Sequence, residues 1–143
     1  MANPKSEKPP PACKAILICE KTLRESRTGR ITLIGIIREI PRRVIPGWTD
    51  PMVVFLQLVN GKGHLDLTIE VQHLQTDNTI VKTKGIGVDF PDPLTVRNLT
   101  LRLSSLPIAV FGTYDLIVFG NGQEIDRQQF KIVPSTSHGS SET

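Results

Sequence analysis

Apolar and polar residues alternate with a period of two along much of this chain, in short runs punctuated by Gly, Pro, Asn and Asp, and no helical period persists. The plainest case runs from Met52 to Gln72. With Asn60 to Gly63 as the loop, Leu58 faces Leu65, Leu56 faces Leu67, Val54 faces Ile69 and Met52 faces Val71. On the opposite side Val59, Gln57, Phe55 and Val53 face His64, Asp66, Thr68 and Glu70. A one-residue slip mixes the two sets, so the pattern predicts a hairpin in this register. Val53 and Phe55 then fall on an otherwise polar face, where either a second layer covers them or a partner does.

Further runs read the same way. "KAILICEKTL" and "RITLIGIIREI" are two strands joined across "RESRTG", and "GIGVDF" and "LTVRNLTLRLSSL" supply two more. The last pair, "GTYDLIVF" and "QEIDRQQFKIV", flanks Asn121 and Gly122, a dipeptide suited to the positive φ angles of a type I′ turn. Tyr114, Leu116, Val118 and Ile125 share one side, whereas Phe130 and Ile132 have the wrong parity, which predicts a β-bulge between Asp126 and Gln129. About eight strands this apolar need two packed layers. The fold expected is an all-β, two-sheet antiparallel β-sandwich, immunoglobulin-like or C2-like, with a partly closed β-barrel as the alternative. Tyr114, just after Gly112, is placed to be the tyrosine corner of such a sandwich.

Gly35 interrupts "RITLIGIIREI", where glycine weakens a helix or a strand alike. Both parities of this run are apolar, with Ile31, Leu33 and Ile37 on one and Ile34, Ile36 and Ile40 on the other. That suits a strand covered on both faces, or one whose parity shifts at a bulge. Gly35 is therefore expected to be a packing feature, with a large side chain such as an aromatic over its missing Cβ.

Composition fixes the frame around these strands. Residues 1–13 carry the triplet Pro9 to Pro11 and residues 134–143 are small and polar, so both read as disordered tails around one domain of residues 14–133. The proline triplet could serve as a polyproline ligand, but a short extended leader is the simpler reading. A formal charge of +3 with dispersed Arg and Lys, and only 5% aromatic residues, argues against nucleic acid as a partner. No secretory signal and no membrane-spanning apolar stretch stands out, which makes the cytoplasm the expected location. Cys13 and Cys19 lie too far apart along an extended strand to bridge, about 20 Å against the roughly 7 Å a disulfide spans. Cys19 has no adjacent His or helix terminus to activate it and reads as a small buried apolar residue.

Candidate chemistry is thin. Gly29 and Gly35 lack the Lys and following helix of a phosphate loop, and Gly85 to Gly87 run into Pro91 and Pro93 where a dinucleotide site needs a helix. His64, Asp66 and Glu70 share a strand face but extend about 20 Å, so only His64 and Asp66 can converge; His73 has the opposite parity and His138 lies in a tail. No GxSxG elbow is present. No catalytic residue, metal site or cofactor is expected, and the protein is read as a non-enzyme. The features that favour binding are Val53 and Phe55 together with the connection "REIPRRVIPGWTDP", which gathers Arg42, Arg43 and the single tryptophan, Trp48. Trp48 is nevertheless more simply a lid on the end of the core.

Cys19-Glu20, Gly29, Leu33-Ile34-Gly35-Ile36 and the stretch from Gly112 to Gly122 resemble a bacterial family of small uncharacterised β-sandwich proteins. Its members show an apolar first strand ending in Cys and an acid, an "sLIGIF"-like second strand and a C-terminal "GxYxLxVxxxG" hairpin. The chain departs from that pattern at Ile37, where an aromatic is usual. The resemblance spans roughly residues 14 to 133 and implies the sandwich fold, with no activity attached. The expected function is thus a non-enzymatic cytoplasmic interaction module that binds a protein partner or itself. The alternatives are a small-ligand or carbohydrate-binding sandwich built on the loop from Arg42 to Trp48, and an enzyme with dispersed residues.

Overall fold

The two strands flanking Asn60 keep their expected alternation but do not pair with each other. In the computed structural model, which describes residues 11–135, twelve strands follow in order. They are β1 (Ala12–Arg24), β2 (Ile31–Ile36), β3 (Glu39–Arg42), β4 (Gly47–Trp48), β5 (Met52–Val59), β6 (Gly63–His73), β7 (Thr79–Lys82), β8 (Ile86–Phe90), β9 (Arg97–Leu103), β10 (Pro107–Ile108), β11 (Gly112–Gly120) and β12 (Gln123–Pro134). One sheet has the order β2-β1-β5-β9; the other runs β3-β12-β11-β6-β7, with β8 also on β6. The expected β5–β6 hairpin is therefore a crossing from one sheet to the other. Met52, Val54, Leu56 and Leu58 meet Leu65, Leu67, Ile69 and Val71 in the buried core. Alternation dictates which face a side chain takes, and two strands facing each other across a sandwich satisfy it as well as two lying side by side.

The sheets share no hydrogen-bonded strand and do not close into a barrel. Of the twelve strands, β4 and β10 pair only with each other, and β3 joins β12 in parallel, in an otherwise antiparallel fold. These short pieces, with β7 standing apart from β8, account for the excess over the eight strands expected from sequence.

β1 changes partner midway. It pairs β5 from Ala12 to Cys19 and β2 from Cys19 to Arg24, so beyond Cys19 the hairpin is a two-stranded arm. Along the part of β1 that β2 does not reach, the amide of Ile37 donates to Ile18 O at 2.7 Å and Gln128 Nε2 donates to Ile16 O at 2.9 Å. The run "RITLIGIIREI" is not one strand covered on both faces. It divides at Ile36, and β3, after Ile37 and Arg38, enters the other sheet. Gly35 has φ +72°, and the side chain over it is Glu20, not an aromatic.

The β11–β12 hairpin turns at Asn121 (φ 50°) and Gly122 (φ 82°). Its bulge lies at Ile125, earlier than expected: Val118 pairs Asp126 while Phe119 pairs Glu124. The cause is packing, because Gly120 leaves space that Ile125 Cδ1 and Leu65 Cδ1 fill. Tyr114 is buried, stacks on Phe130 with ring centroids 5.6 Å apart, and donates from Oη to Val110 O at 2.6 Å. That bond runs to the backbone four residues upstream, the geometry of a tyrosine corner.

Strand pairing begins at Ala12, two residues before the expected domain start, and Cys13 is paired with Leu58. Residues 1–10 and 136–143 lie outside the described residues, and with them Pro9, Pro10 and His138. No helix among the described residues is long and apolar enough to cross a membrane.

Candidate functional site

The two outer faces of the sandwich differ in chemistry. On the six-stranded sheet, Ile117 points away from the core yet is 1% exposed, and charged side chains from neighbouring strands tie one another down around it. Arg127 Nη1 meets Asp115 Oδ2 at 2.8 Å, Arg127 holds both Glu124 oxygens at 2.7 and 2.8 Å, and Lys82 reaches Glu70 at 3.7 Å. Glu124 is held below the usual carboxylate range by Arg127. Ion pairs dominate this face, with Asp115 Oδ1 buried beside them without a hydrogen-bond partner.

The four-stranded sheet presents the reverse. The register places Ile36, Cys19, Val53 and Arg102 in one row across all four strands, with Leu17, Phe55 and Thr100 in the next. Because Val54, Leu56 and Ile18 fill the core, these side chains point outward. Ile34 and Lys21 continue the surface along the arm. Leu17, Ile34, Val53 and Phe55 are half-buried, Ile36 is 57% exposed, and Cys19 is fully buried among them. Beyond the strip, Gln57 Nε2 donates to Asn98 Oδ1 at 3.0 Å. No strand of the described residues forms a further sheet over this face. The sequence marks Val53 and Phe55, but Leu17, Ile34 and Ile36 enter only once β1 and β2 are known to lie beside β5.

Two clefts open at the end of this sheet. One, of about 490 Å³, is lined by Glu20, Ile37, Glu39, Arg42, Asp50 and Met52; the other, of about 460 Å³, by Glu20, Lys21, Val53, Thr100 and Arg102. Glu20, Pro51 and Met52 are common to both. Arg42 thus faces a cleft that also holds three carboxylates, an environment unsuited to an acidic small ligand. Arg43 is exposed.

Trp48 is not a lid on the core. It is 62% exposed, on the short β4–β10 ribbon opposite Pro107, while its neighbour Thr49 is buried and exchanges bonds with Leu106. Trp48 lines a shallow apolar groove of about 330 Å³ with Pro46, Gly47, Pro107, Ile108 and Ala109. The structure therefore brings Val53 and Phe55 together on one face, and Arg42 and Trp48 into separate clefts on either side of Gly47.

The remaining candidates for chemistry are held by their neighbours. His64 Nδ1 lies 2.8 Å from Asp89 Oδ1 and its Nε2 lies 3.0 Å from Asp66 Oδ1, which raises its pKa by favouring the doubly protonated ring. Gly87 explains the "GIG" stretch, since a Cβ there would sit 2.8 Å from His64 Cε1. Among the described residues no group of three or more His, Cys, Asp or Glu could hold a metal ion. Both cysteines are free; burial first, then Asp126, pushes the Cys13 thiol up to about 11, and burial raises that of Cys19.

Residues 14–133 match the sequence family described as a family of unknown function, DUF6941, and the chain belongs to it. No curated protein matches. Among solved structures, the alkylpurine DNA glycosylase AlkC of Pseudomonas fluorescens, bound to DNA containing an abasic site analogue, is similar over 67% of this chain at 8% identity and a TM-score of 0.42. The chain spans only 27% of that glycosylase. An immunoglobulin-like protein from Pseudomonas aeruginosa is similar over 87% of this chain and 98% of its own, at 14% identity and a TM-score of 0.38. Neither likeness is close enough to bear on function.

Proposed function

We propose that this member of DUF6941 is a non-enzymatic, cytoplasmic interaction module whose contact surface is the outer face of the four-stranded sheet, centred on Val53 and Phe55. One observation carries the reading: that face bears a half-buried apolar strip with no further strand over it, whereas the opposite outer face is closed by ion pairs. A partly exposed apolar strip is retained at a cost in solubility, and docking a protein surface removes it from water. Phe55 sits in the middle of the strip, where an aromatic contributes most to affinity.

The test is affinity capture with three baits, the native chain, Phe55→Ser and Lys62→Ala, the last on the exposed loop after β5. Partners held by the native chain and by Lys62→Ala but lost with Phe55→Ser support the face. Partners held equally by all three would remove it.

The exposed Trp48 in its apolar groove favours a second reading, a stacking platform for a small ligand or carbohydrate. Quenching of the single tryptophan by a ligand collection tests it, and a flat response counts against it.

A further inference from the structure

Strand β2 is a sheet edge without the usual protection. Its partner lies on one side only. Unpaired edges invite another strand, and proteins guard them with charge or proline. The other edges of the two large sheets are guarded in this way. β9 carries Arg97 and Arg102, β3 carries Glu39, Pro41 and Arg42, β7 carries Lys82, and β8 carries Asp89 with Pro91 directly after it. β2, "ITLIGI", has neither charge nor proline, and Ile36 on it is 57% exposed.

The surroundings of this edge are basic. Lys21, Arg24, Arg27 and Arg30 belong to the β1–β2 arm, and none forms an ion pair among the described residues. Of the arm's two carboxylates, Glu25 accepts a hydrogen bond from Thr28 Oγ1 at 2.6 Å, and Glu20 lies over Gly35. From Ser26 to Arg38 the chain has no Asp or Glu.

Resting on the module reading above, we infer that β2 takes an extended acidic segment of a partner protein as an added strand. Its apolar side chains lie beside Ile34 and Ile36, and its carboxylates turn to the other face, where Arg24 stands opposite Ile31. Backbone bonding to the edge supplies affinity, and the cations supply charge selection. A second copy of this chain is the wrong occupant, because it brings another β2 with the same arginines and no carboxylate to meet them.

The experiment uses the full ¹⁵N-labelled chain and three eight-residue peptides: alternating Val and Glu, alternating Val and Lys, and the Val-Glu peptide with alternate backbone amides methylated. The Val-Glu peptide is expected to bind at least about tenfold more tightly than either of the others, with amide shifts concentrated on residues 31–36. Arg24→Glu combined with Arg30→Glu, and separately Ile34→Lys, each reduce that affinity about tenfold. Equal binding of the Val-Glu and Val-Lys peptides, or no binding, overturns the inference. So does sedimentation showing a dimer that Ile34→Lys dissolves, which would make a second copy the occupant. Shifts centred on Val53 and Phe55 without charge preference overturn the edge assignment and leave the face reading standing; loss of the face reading requires the Phe55→Ser capture result.

Discussion

Glu20 lies across the bare Cα of Gly35. A Cβ built on Gly35 would sit 2.7 Å from Glu20 Cδ and 2.9 Å from its Oε1, and the residue has φ +72°. Two costs therefore meet at one position, and they separate experimentally. The Glu20 carboxyl is the end of a flexible side chain and can swing into water, whereas the left-handed backbone cannot be relieved in that way. Gly35→Ala is expected to destabilise by about 1–2 kcal/mol. Glu20→Ala in the same chain should leave that loss nearly unchanged in urea denaturation; full rescue would assign the cost to crowding.

Tyr114→Phe removes only the hydroxyl that donates to Val110 O, leaving the ring between His73 and Phe130. The expected loss is about 1 kcal/mol. A change in the denaturation midpoint without a change in slope would show that the corner, and not the core, has been altered.

His64 gives the protein a pH dependence of defined sign. Its pKa in the folded state lies above the ordinary 6.5, because Asp89 and Asp66 each accept from one ring nitrogen. The contribution is therefore present in full below about 6.5 and is lost as pH rises through the raised value. The melting temperature of the native chain should exceed that of His64→Gln in acid and converge with it in alkali. A difference that grows with pH would contradict the arrangement.

Trp48 and Leu56 should behave oppositely on truncation. Trp48 is 62% exposed, so Trp48→Ala is expected to change stability by no more than about 0.5 kcal/mol. Leu56 is 0% exposed in the centre of β5, and Leu56→Ala should cost about 2–5 kcal/mol. Because the only tryptophan is already in water, its fluorescence should change little on unfolding, and far-ultraviolet circular dichroism is the better probe for both variants.

The thiols should react slowly while the chain is folded. With Cys13 pushed up to about 11 and Cys19 raised and buried, little thiolate exists near neutral pH. Iodoacetamide should label both readily in denaturant and neither at a comparable rate in buffer.

Much of this architecture is legible in the sequence, within a clear physical limit. Alternation assigns Val54, Leu56, Leu67 and Ile69 to the core, and the pair Asn121 and Gly122 marks its turn because few other residues accept those φ angles. What alternation does not carry is the identity of the neighbouring strand, so β5 and β6 read as a hairpin although they lie in different sheets. The bulge is legible as a parity fault, but its position depends on Gly120 making room for Ile125. The contact between His64 and Asp89 joins residues 25 apart through β6–β8 pairing, which no local pattern announces. The apolar strip is half visible for the same reason. Val53 and Phe55 stand out within their own strand, whereas Leu17 and Ile36 acquire meaning only from the register of β1.

The order of strands in the larger sheet has a consequence for how the chain acquires its structure. β11 lies between β6 and β12, so a segment near the end of the described sequence fills the middle of the sheet. Until Gly112 to Gly120 is made, β6 has an open side and Leu67, Ile69 and Val71 lack the flank that Leu116 and Val118 provide. Closure of this sheet waits on pairings between distant parts of the chain, which places the protein among slow-folding β topologies. Until then the nascent chain exposes an apolar strand, the kind of surface on which aggregation begins.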